Sequence, residues 1–162
     1  MKRRSNATVF MEWTTKMKTG PFLTHARIGS EVFSMGDGHV GGIVTFVGTP
    51  RASSDKQKKV LYLEYEAYET MAEKLLSELV FQTREKWPLQ EVFLRHRLGK
   101  VPVGEASVFL RVSSEHRREA FAACQFLIDG IKQEVPIWKR EMYDDGSHAW
   151  VHCGREFLHD LI

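Results

Sequence analysis

The sequence predicts an α+β fold, and three observations carry that expectation. Strand-like and helix-like runs are interspersed along the chain, they follow no regular strand–helix–strand repeat, and Pro or Gly punctuates most of the joins between them. Residues 1 to about 28 show no strong periodicity and are expected to form an arm or an edge element. "GGIVTFVG" (41–48) is a short β-rich run framed by glycines and reads as a buried strand. The polar stretch "TPRASSDKQKK" follows, a long connection of the kind that is often functional or mobile. "VLYLEYEAY" (60–68) alternates as a strand does. From Glu69 to Trp87, Met71, Leu75, Leu76, Leu79, Val80 and Thr83 fall at helical spacing, and Pro88 ends the run. "EVFLRHRLG" (91–99) and "ASVFLRVSS" (106–114) read as strands joined by "KVPVGE", whose Pro102 and Gly104 supply turn chemistry. Ala120, Phe121, Cys124, Leu127, Ile128 and Ile131 mark a second helix over about 115–133, which Pro136 cannot continue. "IWKREMY" and "HAWVH" flank "DDGS" as a closing hairpin.

Composition limits the function classes. A chain of 162 residues with 43% hydrophobic content suits one domain with a real core. Its 23 basic residues are nearly matched by 21 acidic ones, so a net charge of +2 argues against nucleic acid as the main partner. Cys124 and Cys153 form no C-x-x-C, which points away from a disulfide framework or a zinc knuckle and towards a reducing cytoplasm. The N-terminal "MKRRSNATVFMEW" lacks an unbroken apolar core and no 18-residue apolar run exists, so neither an export signal nor a membrane span is expected. His148 and His152 share one strand face but complete no metal site, and no P-loop, G-x-G-x-x-G, H-E-x-x-H or G-x-S-x-G is present.

The informative residues are misplaced charges. In "SSEHRREA", Ser113 or Ser114 is expected to cap the second helix, yet His116, Arg117 and Arg118 put positive charge where the helix dipole disfavours it. A bound anion would reverse that cost. Solvated arginines are the simpler account of this cluster by itself. Lys132, in the helix's last turn, is favoured by the dipole and needs no function. Lys139 and Arg140 directly follow Trp138 just beyond the Pro136 turn, and a lysine held against apolar walls can act as a nucleophile or acid–base group. A plain basic strand end explains them equally well. Arg51, in the long loop, reads as an anion clamp or a soluble loop residue. Cys124 and the tryptophans read as core.

"VTFVGTPR", "LEYEAY" followed by "MAE", "KWPL", "HRLGKVPVGEASV", "VSSEHRREAFAACQFLID" and "VPIWKRE", in this order and spacing, resemble the large, catalytic subunit of molybdopterin synthase. The resemblance covers roughly residues 30–152 and leaves 1–29 as an unassigned arm and 153–162 as a tail. It implies an α/β-hammerhead type of α+β domain with a mixed or antiparallel sheet, a central homodimer, and a small ubiquitin-like sulfur-carrier subunit at each end, making a heterotetramer. It further implies sulfur transfer: cyclic pyranopterin monophosphate becomes molybdopterin as two sulfurs, each from the carrier's C-terminal thiocarboxylate, are installed as a dithiolene. Carried over by motif, the pocket falls on Thr49, Pro50, Arg51, His116, Arg117, Lys132, Lys139, Arg140 and Glu141. Lys132 would be the essential acid–base or nucleophilic group, Lys139 would assist, His116, Arg117 and Arg51 would grip phosphate or pterin oxygens, and Glu141 would orient a cation by pairing. The resemblance implies no redox cofactor and no metal. Two anionic reactants need a dense cationic pocket to offset their repulsion, which gives the misplaced charges a purpose.

Arg117 and Lys132 stand fifteen residues apart on one expected helix, about 22 Å along its axis, too far for both to touch one small ligand. A composite site across a two-fold dimer is therefore expected, with His116 and Arg117 reaching in from the second protomer. The alternative from another class is a non-catalytic adaptor that binds a ubiquitin-like tail through a basic groove. An RNA-binding domain using the 49–59 loop is a third reading, disfavoured by the weak net charge.

Overall fold

The computed structural model describes residues 22–25, 38–53 and 58–151. Most of the expected N-terminal arm, the centre of the 49–59 loop, His152 at the end of the expected hairpin, and the 153–162 tail with Cys153 lie outside the described residues. Eight strands and two helices follow in the order β1 (Leu23–Thr24), β2 (Gly42–Gly48), β3 (Val60–Ala67), α1 (Glu69–Lys86), β4 (Leu89–Arg97), β5 (Gly99–Pro102), β6 (Val108–Ser114), α2 (Arg117–Glu134), β7 (Ile137–Tyr143) and β8 (His148–Val151). They build two four-stranded sheets, ordered β1-β4-β6-β2 and β5-β3-β7-β8. The first sheet is mixed, because β1 runs parallel to β4; the second is antiparallel throughout. The expected α+β class with two main helices is what forms. No described helix is long and apolar enough to cross a membrane.

Both helices bury most of the face that their periodicity marks, although Phe121, expected in the second stripe, is 63% exposed. In α1 the buried stripe is Ala72, Leu76, Leu79, Val80 and Thr83, with the Thr83 hydroxyl donating to the Leu79 carbonyl at 2.6 Å. Met71, expected in that stripe, is instead 48% exposed. Trp87 takes an extended backbone conformation before Pro88 and stops the helix. In α2, Ala120, Ala123, Cys124, Leu127, Ile128 and Ile131 are buried, and the helix packs on β2, β6 and α1. Leu76, Leu94, Leu110, Val112 and Leu127 are fully enclosed at this junction. Each contributes about 1.5–3 kcal/mol of transfer free energy.

Gly130 lets the helices approach. A Cβ there would sit 2.6 Å from Leu79 Cδ1 and 2.9 Å from Cδ2. Gly130→Ala is expected to lower unfolding free energy by about 1–3 kcal/mol through overpacking, although alanine is the better helix former by about 1 kcal/mol. Urea denaturation measures the sign directly.

Three expectations are corrected. The "KVPVGE" connection contains a strand: Gly99, at φ 74°, turns the chain out of β4, and Lys100–Val101 then pair with β3 in the other sheet. Val101 is wholly buried there, and Pro102 is tolerated because β5 is an edge. β2 is half-exposed rather than buried, since it too is an edge strand. Neither Ser113 nor Ser114 caps α2. Both remain in β6, where Ser114 pairs with Gly42 on one side and Leu89 on the other and donates to the Pro88 carbonyl at 3.0 Å. His116 is the N-cap residue, with no side-chain capping bond.

The β7–β8 hairpin closes as expected around Gly146, at φ 78°. Lys58 reaches it from the returning loop, bonding Asp145 at 3.0 Å and Ser147 at 2.9 Å.

Candidate active site

Strand alternation sorts the charges of "IWKRE". β7 pairs with β3 so that Ile137 faces Ala67, Lys139 faces Tyr65 and Glu141 faces Leu63, all on one side of the sheet. That side looks onto a cavity of about 330 Å³. Its second wall is the last two turns of α2, where Ile128, Ile131 and Lys132 share a face. Its third wall comes from β2, β4 and β6 through Phe46, His96 and Val108, and the "GTPR" turn closes the rim with Thr49, Pro50 and Arg51.

The turn is held at its ends. Ser107 donates its backbone N–H (2.8 Å) and its hydroxyl (3.0 Å) to the Gly48 carbonyl, and Gly104 N–H donates to the Pro50 carbonyl at 3.3 Å. A Cβ on Gly48 would lie 2.6 Å from Val108 Cγ1, so the close approach of β2 to β6 requires glycine there.

Arg51, Lys132 and Lys139 therefore converge with a single carboxylate, Glu141, on one apolar-floored cavity. Glu141 makes no ion pair among the described residues, contrary to the expected pairing with a cation. It accepts a hydrogen bond from the buried Tyr143 hydroxyl at 2.9 Å instead. Tyr143 is in turn covered by Lys58, whose Nζ stands 4.9 Å from the ring centroid.

Arg140 does not join the cavity. The same alternation turns it to the opposite face, where it pairs with Glu64, approaches Glu66 at 3.9 Å and lies over the Trp150 ring. The Glu64 carboxylate beside it raises its already high pKa, so it remains a fixed cation. His116 and Arg117 are also elsewhere, exposed at the start of α2, the end remote from Lys132. Gly41 and Gly42 place that turn: a Cβ on Gly41 would meet the Glu115 carbonyl oxygen at 2.1 Å, and one on Gly42 the Arg117 Cα at 2.8 Å.

One cavity group was missed. His96 is 6% exposed and lines the wall beside Tyr65 and Ser107. Burial lowers its pKa to about 4, only partly offset by the hydrogen bond to the Arg97 carbonyl, so it is neutral near pH 7. The alternation of Val92, Leu94, His96 and Leu98 did carry a signal, a histidine on the buried face of a strand. Cys124 is the buried core thiol expected, its pKa raised by desolvation.

The two-sheet α+β scaffold gathers two lysines and an arginine around one cavity, side chains whose chemistry suits an anionic ligand. The chain belongs to the MoaE protein family, whose family model matches residues 23–134. It is 47% identical over 110 residues to the molybdopterin synthase catalytic subunit of Bos taurus, a match covering 68% of this chain and 58% of the bovine protein. The chain thus spans little more than half of that relative's length. The crystal structure of molybdopterin synthase from Staphylococcus aureus superposes with a TM-score of 0.72 at 34% identity, covering 82% of this chain and 98% of that one. A complex of subunits 1 and 2 of molybdopterin-converting factor from Helicobacter pylori shares the fold, with a TM-score of 0.59 at 20% identity over 70% of this chain and 73% of that one.

Proposed function

We propose that this chain is the catalytic subunit of a molybdopterin synthase and transfers sulfur from a carrier's C-terminal thiocarboxylate to cyclic pyranopterin monophosphate. The observation that carries the reading is the convergence of Arg51, Lys132 and Lys139 on one cavity, where a phosphate and a thiocarboxylate would otherwise repel each other. Each transfer forms a bond from the thiocarboxylate sulfur to a substrate carbon as a C–O bond at that carbon breaks, the oxygen leaving protonated as water or with the phosphate, and gives an acyl thioester between carrier and substrate. Water then attacks the acyl carbon and the acyl C–S bond breaks. The carrier leaves as a carboxylate, the sulfur stays on the substrate, and the proton from water passes to a nearby base. Two rounds yield the dithiolene.

In this scheme Lys132 delivers and accepts protons at the reacting carbon, and Lys139, opposite it, stabilises the oxyanion that forms during hydrolysis. Arg51 offers a forked donor to the phosphate from the rim. His116 and Arg117 belong to the same reaction only if they come from a second protomer, so the working unit is a homodimer with two composite sites and a carrier bound at each. The Helicobacter pylori complex of two subunits supports a carrier partner for this chain.

The test is direct. The purified protein is incubated with cyclic pyranopterin monophosphate and a thiocarboxylated carrier, and the product is read by mass for a gain of two sulfurs. Product without sulfur, or no turnover with a competent carrier, rejects the proposal.

A further inference from the structure

The cavity wall carries one histidine, His96, whose second ring nitrogen the sulfur-transfer scheme does not use. His96 Nδ1 lies 3.0 Å from the Arg97 carbonyl oxygen, which can only accept, so the Nδ1 position carries the proton. Nε2 is then a lone pair, and it has no hydrogen-bond partner among the described residues. The ring is held firmly. Its backbone N–H donates to the Phe22 carbonyl at 2.8 Å, the strand is paired on both sides through Leu23 and Val108, and Tyr65 packs edge-on at a centroid distance of 5.1 Å. That nitrogen is not sealed off in the core, and the residue lines the cavity, so a donor on a bound ligand can reach it.

We propose that His96 is a ligand-positioning contact whose Nε2 accepts a hydrogen bond from a ring N–H or a hydroxyl of the heterocycle that fills this cavity. The other charged groups on the wall divide the task. Arg51, Lys132 and Lys139 can only donate and suit the anionic part of a ligand, while Glu141 already accepts from Tyr143. His96 is thus the neutral ring acceptor in a wall that otherwise offers the hydroxyls of Thr49, Ser53, Tyr65 and Ser107, and it suits a donor-bearing ring. Burial opposes its protonation, only partly offset by the Arg97 carbonyl, so it holds the ligand rather than moving a proton at neutral pH. The identity of the heterocycle, a pyranopterin, rests on the sulfur-transfer reading.

Three variants test it: His96→Phe keeps the ring volume without an acceptor, His96→Asn retains a donor near the Nδ1 position only, and His96→Gln restores an acceptor near Nε2. Thermal unfolding identifies which variants fold. With carrier saturating, Phe and Asn are each expected to raise KM for cyclic pyranopterin monophosphate about tenfold, the loss of one buried hydrogen bond, with kcat within about twofold. Gln is expected to recover most of the loss. A native KM in a folded Phe or Asn variant, a fall in kcat alone, or failure of Gln to rescue overturns the proposal. Should wild-type protein make no product, the sulfur-transfer reading falls separately. Calorimetric titration of the same pyranopterin into wild type and His96→Asn then decides: tenfold weaker binding supports the contact, and equal or absent binding overturns it.

Discussion

Lys132→Ala is expected to lower turnover by about 10²–10⁴-fold, the range for removing a positioned acid–base group, while the protein stays folded and still binds its carrier. The effect on folding is local. Lys132 is exposed in the last turn of α2 and makes no ion pair among the described residues, so its loss removes about 0.3–1 kcal/mol of dipole stabilisation from a total of about 5–15 kcal/mol. The effect on chemistry follows from position. Lys132 follows Ile131 and lies one turn beyond Ile128, and these two isoleucines form the apolar wall of the cavity beside it. The same position separates catalysis from recognition. Arginine preserves the charge but cannot give up its proton, so Lys132→Arg should fail almost as completely as alanine if the amine takes part in proton transfer. A docking charge would survive that change. Single-turnover product formation, alongside carrier affinity by titration, distinguishes the two. Near-native activity in Lys132→Arg would return the chain to the adaptor reading.

How far the sequence led depended on the range of the interaction that decides each feature. Both helices were legible because their apolar stripes and the stops at Pro88 and Pro136 are local. The hairpin at "DDGS" was legible for the same reason. β5 was not: its partner is β3, more than thirty residues earlier, and the Pro and Gly around it carry a stronger local turn signal than four strand residues can. Ser113 and Ser114 look like caps by residue type, yet two neighbouring strands claim their backbone first. At the cavity, Lys139, Arg140 and Glu141 were carried over together by motif, and that grouping ignored the two-residue period that turns Arg140 away towards Glu64. His96 showed the correct phase on its strand, but a buried histidine becomes a candidate contact only once a cavity is seen beside it. The charge of Arg51 was visible, whereas its place on the rim depends on the Ser107–Gly48 bonds that anchor the turn.

Mixing two inactive variants should regenerate activity, and this is the sharpest consequence of the geometry. Arg117 opens α2 and Lys132 sits in its last turn, about 22 Å further along an unbroken helix, and only Lys132 lines the cavity. A guanidinium at the far end cannot grip a ligand beside Lys132 of its own chain. In an isologous dimer the start of one α2 can lie against the end of the other, giving two equal sites that each take Lys132 from one protomer and His116 and Arg117 from its partner. A heterodimer of Lys132→Ala and Arg117→Ala then contains one site lacking both groups and one site lacking neither. After random exchange of equal amounts, half the dimers are mixed and half of their sites are intact, so roughly a quarter of wild-type activity should return. His116→Ala mixed with Arg117→Ala should recover nothing, because every shared edge still lacks one of the two. Native mass spectrometry of differently tagged chains establishes that exchange has occurred. If exchange is complete and Lys132→Ala with Arg117→Ala stays silent, the "EHR" turn serves no composite site, and its charges are the solvated surface groups that residue type alone suggests.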